Sequence, residues 1–241
     1  MRKIAKLSPN FNKKSRQKNK IKFVVIHYTG MQSEIVSLKR LTDKHSKVSA
    51  HYFIGKNGKI VQLVKENKVA WHAGKSKWKK FRNLNKYSVG IELANKGHEF
   101  GYEKFSKKQI NSLIILCLKL KRKYNLENLD FLGHSDIAPL RKIDPGEKFP
   151  WEKLSKFKIG SWYKNLNSEF FNTNKKEFKK LFFKNLYRIG YRYFSINKRQ
   201  KNDKKIIEAF QRHYLPKKIT GKIDPKTLKI SHFLANNHIF S

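Results

Sequence analysis

The sequence predicts an α/β domain that is followed by a small helical domain. Two observations predict the first part. Short apolar runs rich in β-branched residues alternate with amphipathic helical patterns, and Asn57-Gly58 joins two such runs as a hairpin turn. A third observation predicts the second part, because the composition beyond Trp162 becomes helical and rich in lysine. We therefore expect an α/β domain over residues 1–165 and a compact helical domain over residues 172–241.

The strands of the first domain are predicted from short β-branched or alternating runs. The first run is continuously apolar, which is typical of a buried central strand. The two runs that flank the Asn57-Gly58 turn form the hairpin. In chain order, the predicted strands cover residues 23–26, 50–55, 59–64, 88–93 and 131–132.

Two helices are predicted between these strands. Residues 34–46 carry Ile35 and Leu38 on one face. Ser106, with Gln109 three positions later, is a capping-box signal that opens a longer helix to about Tyr124. The stretches that lack a periodic pattern are expected to be irregular: residues 1–20, 70–86 and 135–150.

Three helices are predicted in the second domain. The amphipathic pattern of residues 175–189 stops at Gly190, and glycine is common just past a helix end. Residues 203–214 form the second helix. Asp224-Pro225 opens the third, because aspartate is a good N-cap and proline is tolerated at the first helical position.

The chain is strongly basic. Its 56 lysine and arginine residues against 17 aspartate and glutamate residues give a net charge of +39. Such a charge predicts attraction to polyanions such as nucleic acid, anionic lipid or an acidic wall polymer. The lysines are spread over the whole chain and asparagine is also frequent, so a biased genome composition explains the charge equally well. A specific nucleic-acid role would need basic residues clustered on one recognition helix, and we expect no such role.

Cysteine content and the N-terminus bear on the compartment. The single cysteine, Cys117, excludes a disulfide within the chain, and its apolar helical surroundings predict a packed core thiol. The N-terminus is basic but lacks the apolar region and small-residue cleavage site of a secretory signal, and no apolar run is long enough to span a membrane. We therefore expect a cytoplasmic protein, with the periplasm or cell envelope as the alternative.

Polar residues that could carry chemistry follow the predicted strands. His27 directly follows the first strand, Glu92 lies near the end of another, and His134 follows a third, with Lys142 and Asp144 in the next loop. Strand ends and their loops are where α/β sheets build sites. Two histidines and a carboxylate leave a tetrahedral zinc ion one open position, as in catalytic zinc sites. Spacing alone does not decide whether these residues bind zinc. His27 could also be an ordinary hydrogen-bonded histidine, and Asp144 could also be a turn residue.

The motifs around these residues are more specific than their spacing. In chain order they are Val-Ile-His-Tyr-Thr (25–29), Val-Ser-Ala-His-Tyr (48–52), Ala-Trp-His-Ala-Gly (70–74), Val-Gly-Ile-Glu (89–92), Gly-His-Ser-Asp-Ile-Ala-Pro (133–139) and Lys-Ile-Asp-Pro-Gly (142–146). Together they resemble the zinc-dependent N-acetylmuramoyl-L-alanine amidases of the AmpD and AmiD type, relatives of animal peptidoglycan-recognition proteins. The resemblance covers roughly residues 9–163. It is stronger for the AmiD branch, because the segment 149–151 and the C-terminal extension also match.

The resemblance implies a fold, a reaction and a set of site residues. The fold is a central mixed β-sheet flanked by helices, and the reaction is hydrolysis of the amide bond between N-acetylmuramic acid and the L-alanine of the stem peptide. Zn²⁺ is held by His27, His134 and Asp144. Glu92 is the catalytic residue that activates water, and Lys142 stabilises the oxyanion. Peptidoglycan or muropeptides are the implied substrates.

Other polar residues are weaker candidates. His51 is expected to be structural or to support the site rather than to bind metal. Trp71 and His72 lie in a glycine-containing loop, where substrate contact and packing are equally good explanations. Asn95 could contact substrate, but a structural role is the stronger expectation. The remaining histidines are expected at surface or packing positions: His45, His98, His213, His232 and His238.

Three C-terminal fragments, residues 186–191, 209–214 and 220–228, resemble the three-helix peptidoglycan-binding domain that is often fused to wall hydrolases. This second resemblance covers about residues 175–236 and implies a module that concentrates the enzyme on its polymer. Any small helical bundle would also place Leu186, Phe210 and Leu228 in its core.

The main alternative is a binding module of the same fold that recognises peptidoglycan without cutting it. It would predict the loss of a zinc ligand or of Glu92, and the sequence keeps them all. The choice between intact wall and soluble fragments stays open, because the C-terminal domain favours polymer and the missing signal favours recycling inside the cell. A requirement for anhydro sugars and the oligomeric state also stay open.

Overall fold

The computed structural model of the chain describes residues 4–5, 7–164 and 175–236. Its main feature is a six-stranded sheet in the order β1-β5-β4-β9-β3-β10, in which the pair β4–β5 is antiparallel and the other pairs are parallel. The expected mixed sheet is therefore confirmed. The strands are β1 (Ile4–Ala5), β2 (Phe11–Asn12), β3 (Phe23–Tyr28), β4 (Tyr52–Ile54), β5 (Ile60–Gln62), β6 (Val69–Ala70), β7 (Lys77–Trp78), β8 (Phe81–Arg82), β9 (Ser88–Leu93) and β10 (Phe131–Gly133).

Helices flank the sheet, as the sequence predicts. The long helix α3 lies on one face, and the three C-terminal helices lie on the other. The helices are α1 (Glu34–Thr42), α2 (Gly97–Phe100), α3 (Lys107–Tyr124), α4 (His134–Ile137), α5 (Trp151–Ser155), α6 (Lys175–Ile189), α7 (Asp203–Tyr214) and α8 (Pro225–Asn236). No helix in the described part of the chain is both long and apolar enough to cross a lipid bilayer.

Alternation along β3 sorts its side chains between the two faces. Val24 and Ile26 pack in the core that contains α3, whereas Phe23 and Val25 pack in the core that contains the C-terminal helices. Successive side chains of a strand point to opposite faces, so His27 continues the face of Phe23 and Val25. The imidazole therefore lies on the side of the sheet that the C-terminal helices cover.

A local signal explains where α3 begins. Ser106 caps α3 by accepting a hydrogen bond from the Gln109 backbone N–H at 3.0 Å. The second hydrogen bond of the predicted capping box, from the Gln109 side chain to the Ser106 backbone, is wrong. The Gln109 amide instead donates to the backbone oxygens of Ile54 and Ala94. The buried Gln109 amide therefore connects α3 to the ends of β4 and β9. The local sequence pattern does not indicate this tertiary contact.

Two stretches differ from the sequence prediction. The helix predicted over residues 34–46 ends at Thr42, because Asp43 is extended and its carboxylate caps a separate 3₁₀ turn by accepting from the His45 N–H at 2.9 Å. The irregular stretch 70–86 contains the short strands β7 and β8, which pair with each other. Both differences lie in short elements, where local propensity is weak.

The C-terminal helices share a continuous core with the sheet. Phe182 of α6 and Phe210 of α7 belong to the same buried cluster as Phe23 of β3. A buried polar contact joins the same parts, because the Asp136 carboxylate of α4 accepts from the Tyr191 hydroxyl at 2.7 Å and lies 2.8 Å from His213 Nδ1. The predicted division at residues 165 and 172 falls in the segment 165–174, which is outside the described residues, and stays a prediction.

Candidate active site

The five residues singled out in the sequence come from neighbouring strand ends. His27 lies near the end of β3, and Glu92 is its register partner on the adjacent parallel strand β9. His134 is the first residue of α4, directly after β10 on the other side of β3. Lys142 and Asp144 lie in the loop that follows α4. Parallel pairing brings these strand ends to one edge of the sheet, which is why residues distant in sequence meet there.

Three of these side chains converge on one point. His27 Nδ1 lies 2.9 Å from His134 Nδ1 and 3.0 Å from Asp144 Oδ2, and His134 Nδ1 lies 3.1 Å from the same carboxylate oxygen. The residues are only 1%, 3% and 6% exposed, respectively. In the described part of the chain this is the group of histidine and acidic side chains arranged to hold a metal ion.

The donor atoms of this group fit zinc. Each imidazole has its other nitrogen engaged: His27 Nε2 lies 3.0 Å from His72 Nδ1, and His134 Nε2 lies 3.1 Å from the Ala73 carbonyl oxygen. The two Nδ1 atoms are left to face the carboxylate. A tetrahedral ion with bonds of about 2.0–2.1 Å holds its ligand atoms roughly 3.3–3.4 Å apart. The three atoms need to separate by only a few tenths of an ångström to meet that geometry.

Electrostatics give His27 and Asp144 the protonation states that metal binding would require. Burial, reinforced by the neighbouring His134, lowers the pKa of His27 to about 4. Burial would raise the pKa of Asp144, but His134 and His27 outweigh it and hold that pKa well below its ordinary range. At neutral pH, His27 is therefore a neutral donor and Asp144 an ionised one, as metal coordination needs.

Glu92 and Lys142 line the same cavity as His27, His134 and Asp144, a cleft of about 580 Å³. The Glu92 Oε2 atom is buried and has no hydrogen-bond partner among the residues that the structure describes. Burial, followed by repulsion from Asp144, raises the pKa of Glu92 well above its ordinary value, and Lys142 opposes this. An unpaired carboxylate beside a ligand cluster is the arrangement expected of a proton-transfer group.

The weaker candidates from the sequence differ in whether they line the cleft or have structural contacts. His51 lies behind the ligand cluster, where its Nδ1 accepts from the Gly90 N–H at 3.0 Å. Trp71 lines the cleft, which fits substrate contact. Asn95 is buried in a turn, where its amide donates to the Glu103 carbonyl at 2.9 Å and accepts from the Gly97 N–H at 3.0 Å, so its role is structural.

The other histidines have diverse surroundings. His213 is buried against Asp136, His98 contacts Glu147 at the surface, and His45 is exposed. These positions agree with the expected surface or packing roles. His232 lies on α8, 2.8 Å from the Asn236 amide nitrogen, and His238 lies outside the described residues.

Sequence reasoning missed the contact between His72 and His27. His72 is buried and packs edge-on against His27, with ring centroids 5.1 Å apart. One signal could have indicated it. Ser88, Gly90 and Glu92 alternate with apolar residues along β9, so one face of this central strand carries two small residues and an acid. Small residues on a buried face leave room for a side chain from elsewhere.

Comparison with known proteins identifies the family of this chain. The family model described as N-acetylmuramoyl-L-alanine amidase matches residues 17–147. The chain is 34% identical over 234 residues to the N-acetylmuramoyl-L-alanine amidase AmiD of Escherichia coli, which covers 91% of this chain and 84% of AmiD. It is 33% identical over 164 residues to the 1,6-anhydro-N-acetylmuramyl-L-alanine amidase AmpD of Haemophilus influenzae, which covers 61% of this chain and 86% of AmpD.

A solved structure extends the likeness to the three-dimensional fold. The complex of Escherichia coli AmiD with the substrate anhydro-N-acetylmuramic acid-L-Ala-D-gamma-Glu-L-Lys superposes with a TM-score of 0.80 at 33% identity, over 94% of this chain and 92% of that one. The family match spans more than half of the chain, and the likeness to AmiD covers 94% of it. The chain belongs to the N-acetylmuramoyl-L-alanine amidase family, and it is a hydrolase that acts on an amide bond.

Proposed function

We propose that this amidase releases the stem peptide from muropeptides, including those with an anhydro sugar, with zinc as its cofactor. The observation that carries the proposal is the buried convergence of His27, His134 and Asp144 at the base of a cleft that also holds Glu92. Support for the substrate class comes from AmiD, whose structure was solved with an anhydro-muramic tripeptide as substrate. The cleft volume of about 580 Å³ suits a ligand of that size.

His27, His134 and Asp144 would hold the ion through Nδ1, Nδ1 and Oδ2. Zinc bound there would supply a Lewis acid that lowers the pKa of water and polarises the scissile carbonyl. The protein contributes a dry site, because all three ligands are buried, and an open side, because all three line the cleft. The cleft gives substrate and water a route to these three residues.

Glu92 is the proposed proton carrier. Its unpaired Oε2 lies in the cleft beside His27, at the strand position directly opposite it. The carboxylate accepts the proton of the attacking water and returns it to the departing amine of L-alanine. Its raised pKa, caused first by burial, makes the protonated form accessible for the second transfer.

Lys142 is the proposed oxyanion partner. It lines the cleft in the loop between His134 and Asp144, so it reaches the site from the same short segment as two of the ligands. A cation near the scissile carbonyl stabilises the negative charge that develops on oxygen when water attacks. The Asp144 loop would thus deliver a ligand and a charge-stabilising group together.

Mass spectrometry of purified muropeptides, incubated with the zinc-loaded protein, tests the proposal. We expect release of intact stem peptide that begins with L-alanine, from anhydro as well as reducing-end sugars. The same incubation with protein stripped of metal by a chelator should release none, and added zinc should restore cleavage. Unchanged muropeptides in the presence of bound zinc would overturn the proposed substrate. Full cleavage by demonstrably metal-free protein would overturn the proposed cofactor.

A further inference from the structure

The imidazole of His72 is wedged between the zinc-ligand candidate His27 and the strand β9. Its Nδ1 lies 3.0 Å from His27 Nε2, and its Nε2 lies 3.3 Å from the Ser88 hydroxyl. That hydroxyl in turn donates to the Leu84 carbonyl oxygen at 2.6 Å. All four residues are buried. A continuous chain of hydrogen-bonding groups therefore runs from a backbone carbonyl to the ligand cluster.

The chain has only one consistent direction. The Leu84 carbonyl can only accept, so the single hydroxyl proton of Ser88 points to it. The Ser88 oxygen is then an acceptor toward His72, which places a proton on His72 Nε2 and leaves its Nδ1 as an acceptor. His27 must donate from Nε2 to that acceptor. In a neutral imidazole this leaves the His27 Nδ1 lone pair free, and Nδ1 is the atom that faces Asp144.

The backbone around His72 is arranged to hold the ring in this place. A Cβ atom on Gly90 would lie 2.3 Å from His72 Cγ, so the ring occupies space that any residue other than glycine at position 90 would fill. The Asn85 side-chain oxygen accepts from the backbone N–H groups of His72 and Ala73 at 3.1 and 2.6 Å. The His72 ring is therefore held in place by the Asn85 hydrogen bonds to its backbone and by its contact with β9.

We propose that His72 is a positioning residue that sets the tautomer and the ring orientation of His27, so that its Nδ1 lone pair is presented to the metal. The inference rests on the proposed function, since it takes zinc as the ion. The residue after His72 contacts the other histidine of the group, because the Ala73 carbonyl oxygen lies 3.1 Å from His134 Nε2, with the Arg141 Nη2 donor 3.3 Å from the same nitrogen. Consecutive residues of one loop thus contact both imidazoles. A group that hydrogen-bonds the ring nitrogen of a histidine ligand that does not bind the metal changes the affinity of the site for the ion.

Nitrogen-15 NMR of the zinc-loaded, full-length protein with labelled histidine tests the direction of the chain. Long-range proton–nitrogen correlations distinguish the two neutral tautomers and the imidazolium. We expect His72 and His27 both to carry their proton on Nε2. A proton on His72 Nδ1, or a doubly protonated His72, would overturn the proposal. The spectrum is recorded on the native sequence, so it identifies the His72 tautomer even if a variant does not fold.

Zinc affinity, measured by competition with a chromophoric chelator, tests the consequence. His72→Leu removes the acceptor and keeps a buried side chain of similar size, and we expect zinc to bind about 10–100-fold more weakly. His72→Asn keeps an acceptor at the position of Nδ1 and should retain most of the affinity. Circular dichroism and urea unfolding of the zinc-free variants check that both fold.

The pattern across the variants separates positioning from a general structural role. Equal losses in His72→Leu and His72→Asn, or unchanged affinity in a folded His72→Leu, would contradict positioning through the acceptor. Failure of the native protein to bind zinc at all would instead contradict the proposed function. A native protein that binds zinc and carries the opposite His72 tautomer would contradict only the inference made here.

Discussion

The chemistry proposed for Glu92 depends on the surroundings of its carboxylate. An exposed glutamate is ionised and solvated, whereas the buried Oε2 atom of Glu92 lacks a partner among the described residues and faces the cleft. Its register partner is His27, so the carboxylate stands beside the ligand cluster without being part of it. In the proposed mechanism, proton transfer and metal binding are therefore carried by different side chains.

Glu92→Gln should lower kcat for muropeptide cleavage by about 10²–10⁴, because the amide cannot accept the proton of water. Zinc content should stay unchanged, since Glu92 is outside the ligand group. Turnover assays together with metal analysis measure both. Near-normal turnover would exclude Glu92 as the base, and loss of zinc would show that it acts as a ligand instead.

His134→Ala provides the matched comparison for that variant. It removes one of the three converging donor atoms and should abolish tight zinc binding. Metal analysis after dialysis measures this directly. A full zinc complement in a folded His134→Ala protein would refute the ligand assignment, whatever its activity.

At the scale of elements, β9 shows how one strand serves both the core and the site. Val89 and Ile91 pack in the core that contains α3, while Ser88, Gly90 and Glu92 occupy the opposite face beneath His72 and beside His27. The period of two along a strand separates these tasks. The lack of a side chain at Gly90 is what admits the His72 ring.

Gly90→Ala should therefore destabilise the fold by about 1–3 kcal/mol, the usual cost of overpacking a tight core. The added Cβ would clash with the His72 ring, where it would meet Cγ at 2.3 Å. Urea unfolding of Gly90→Ala, His72→Ala and the double variant measures the coupling. If the ring is the cause, the double variant will be more stable than the sum of the single effects predicts. Strict additivity would contradict this explanation.

A second element-scale feature is the carboxylate that joins β4 to α3. Glu66 accepts hydrogen bonds from the hydroxyls of Tyr52 and Tyr124 and from Lys123 Nζ, the last at 2.5 Å. Burial alone would raise the pKa of Glu66, but these hydrogen bonds outweigh it and lower the pKa from 4.5 to about 2. The ionised form is thus favoured by folding.

The pH dependence of stability follows from that shift. Because the pKa of Glu66 in the folded state lies below its ordinary value of 4.5, the folded state binds fewer protons at acidic pH. The stabilisation is complete above about pH 4.5 and is lost as pH falls toward 2. Urea unfolding between pH 2 and 6 should show a smaller acid loss for Glu66→Gln than for the native protein. The exposed Glu99→Gln is the control, and an identical pH profile for Glu66→Gln would contradict the prediction.

At the scale of the whole molecule, the C-terminal helices are packed into the same core as the active-site face of the sheet. Phe182 and Phe210 join Phe23 and Val25 in one buried cluster. The buried Asp136 carboxylate, two residues after His134, is held by Tyr191 from beyond α6. The helices therefore support the segment that carries a proposed ligand, and we expect unfolding as a single cooperative transition.

Tyr191→Phe tests this coupling with the smallest possible change. It removes one hydrogen bond to a buried carboxylate and should cost about 1.5–3 kcal/mol in the free energy of unfolding. Tyr187→Phe, at a half-exposed position on α6, is the control and should cost little. Equal, negligible effects of the two changes would show that the Asp136 contact contributes nothing to stability.

Much of the fold was accessible from the sequence because its signals are local. Strand and helix periods, the Asn57-Gly58 turn and the Ser106 cap depend on residues close together in the chain. Motif resemblance added the mixed sheet and the family. The same local logic failed at the Gln109 side chain, whose partners are Ile54 in β4, 55 positions away, and Ala94 just after β9, 15 positions away.

The sequence by itself determined the α/β fold and the family, and it predicted the residues of a zinc site. Only the tertiary structure decided how those residues act on one another. It brought His27, His134 and Asp144 within 3.1 Å, placed His72 behind the first of them, and packed the C-terminal helices against the sheet. The physical reason is range. Periodicity and turn chemistry are set by near neighbours in sequence, whereas hydrogen-bond direction, burial and pKa depend on side chains that only chain topology brings together.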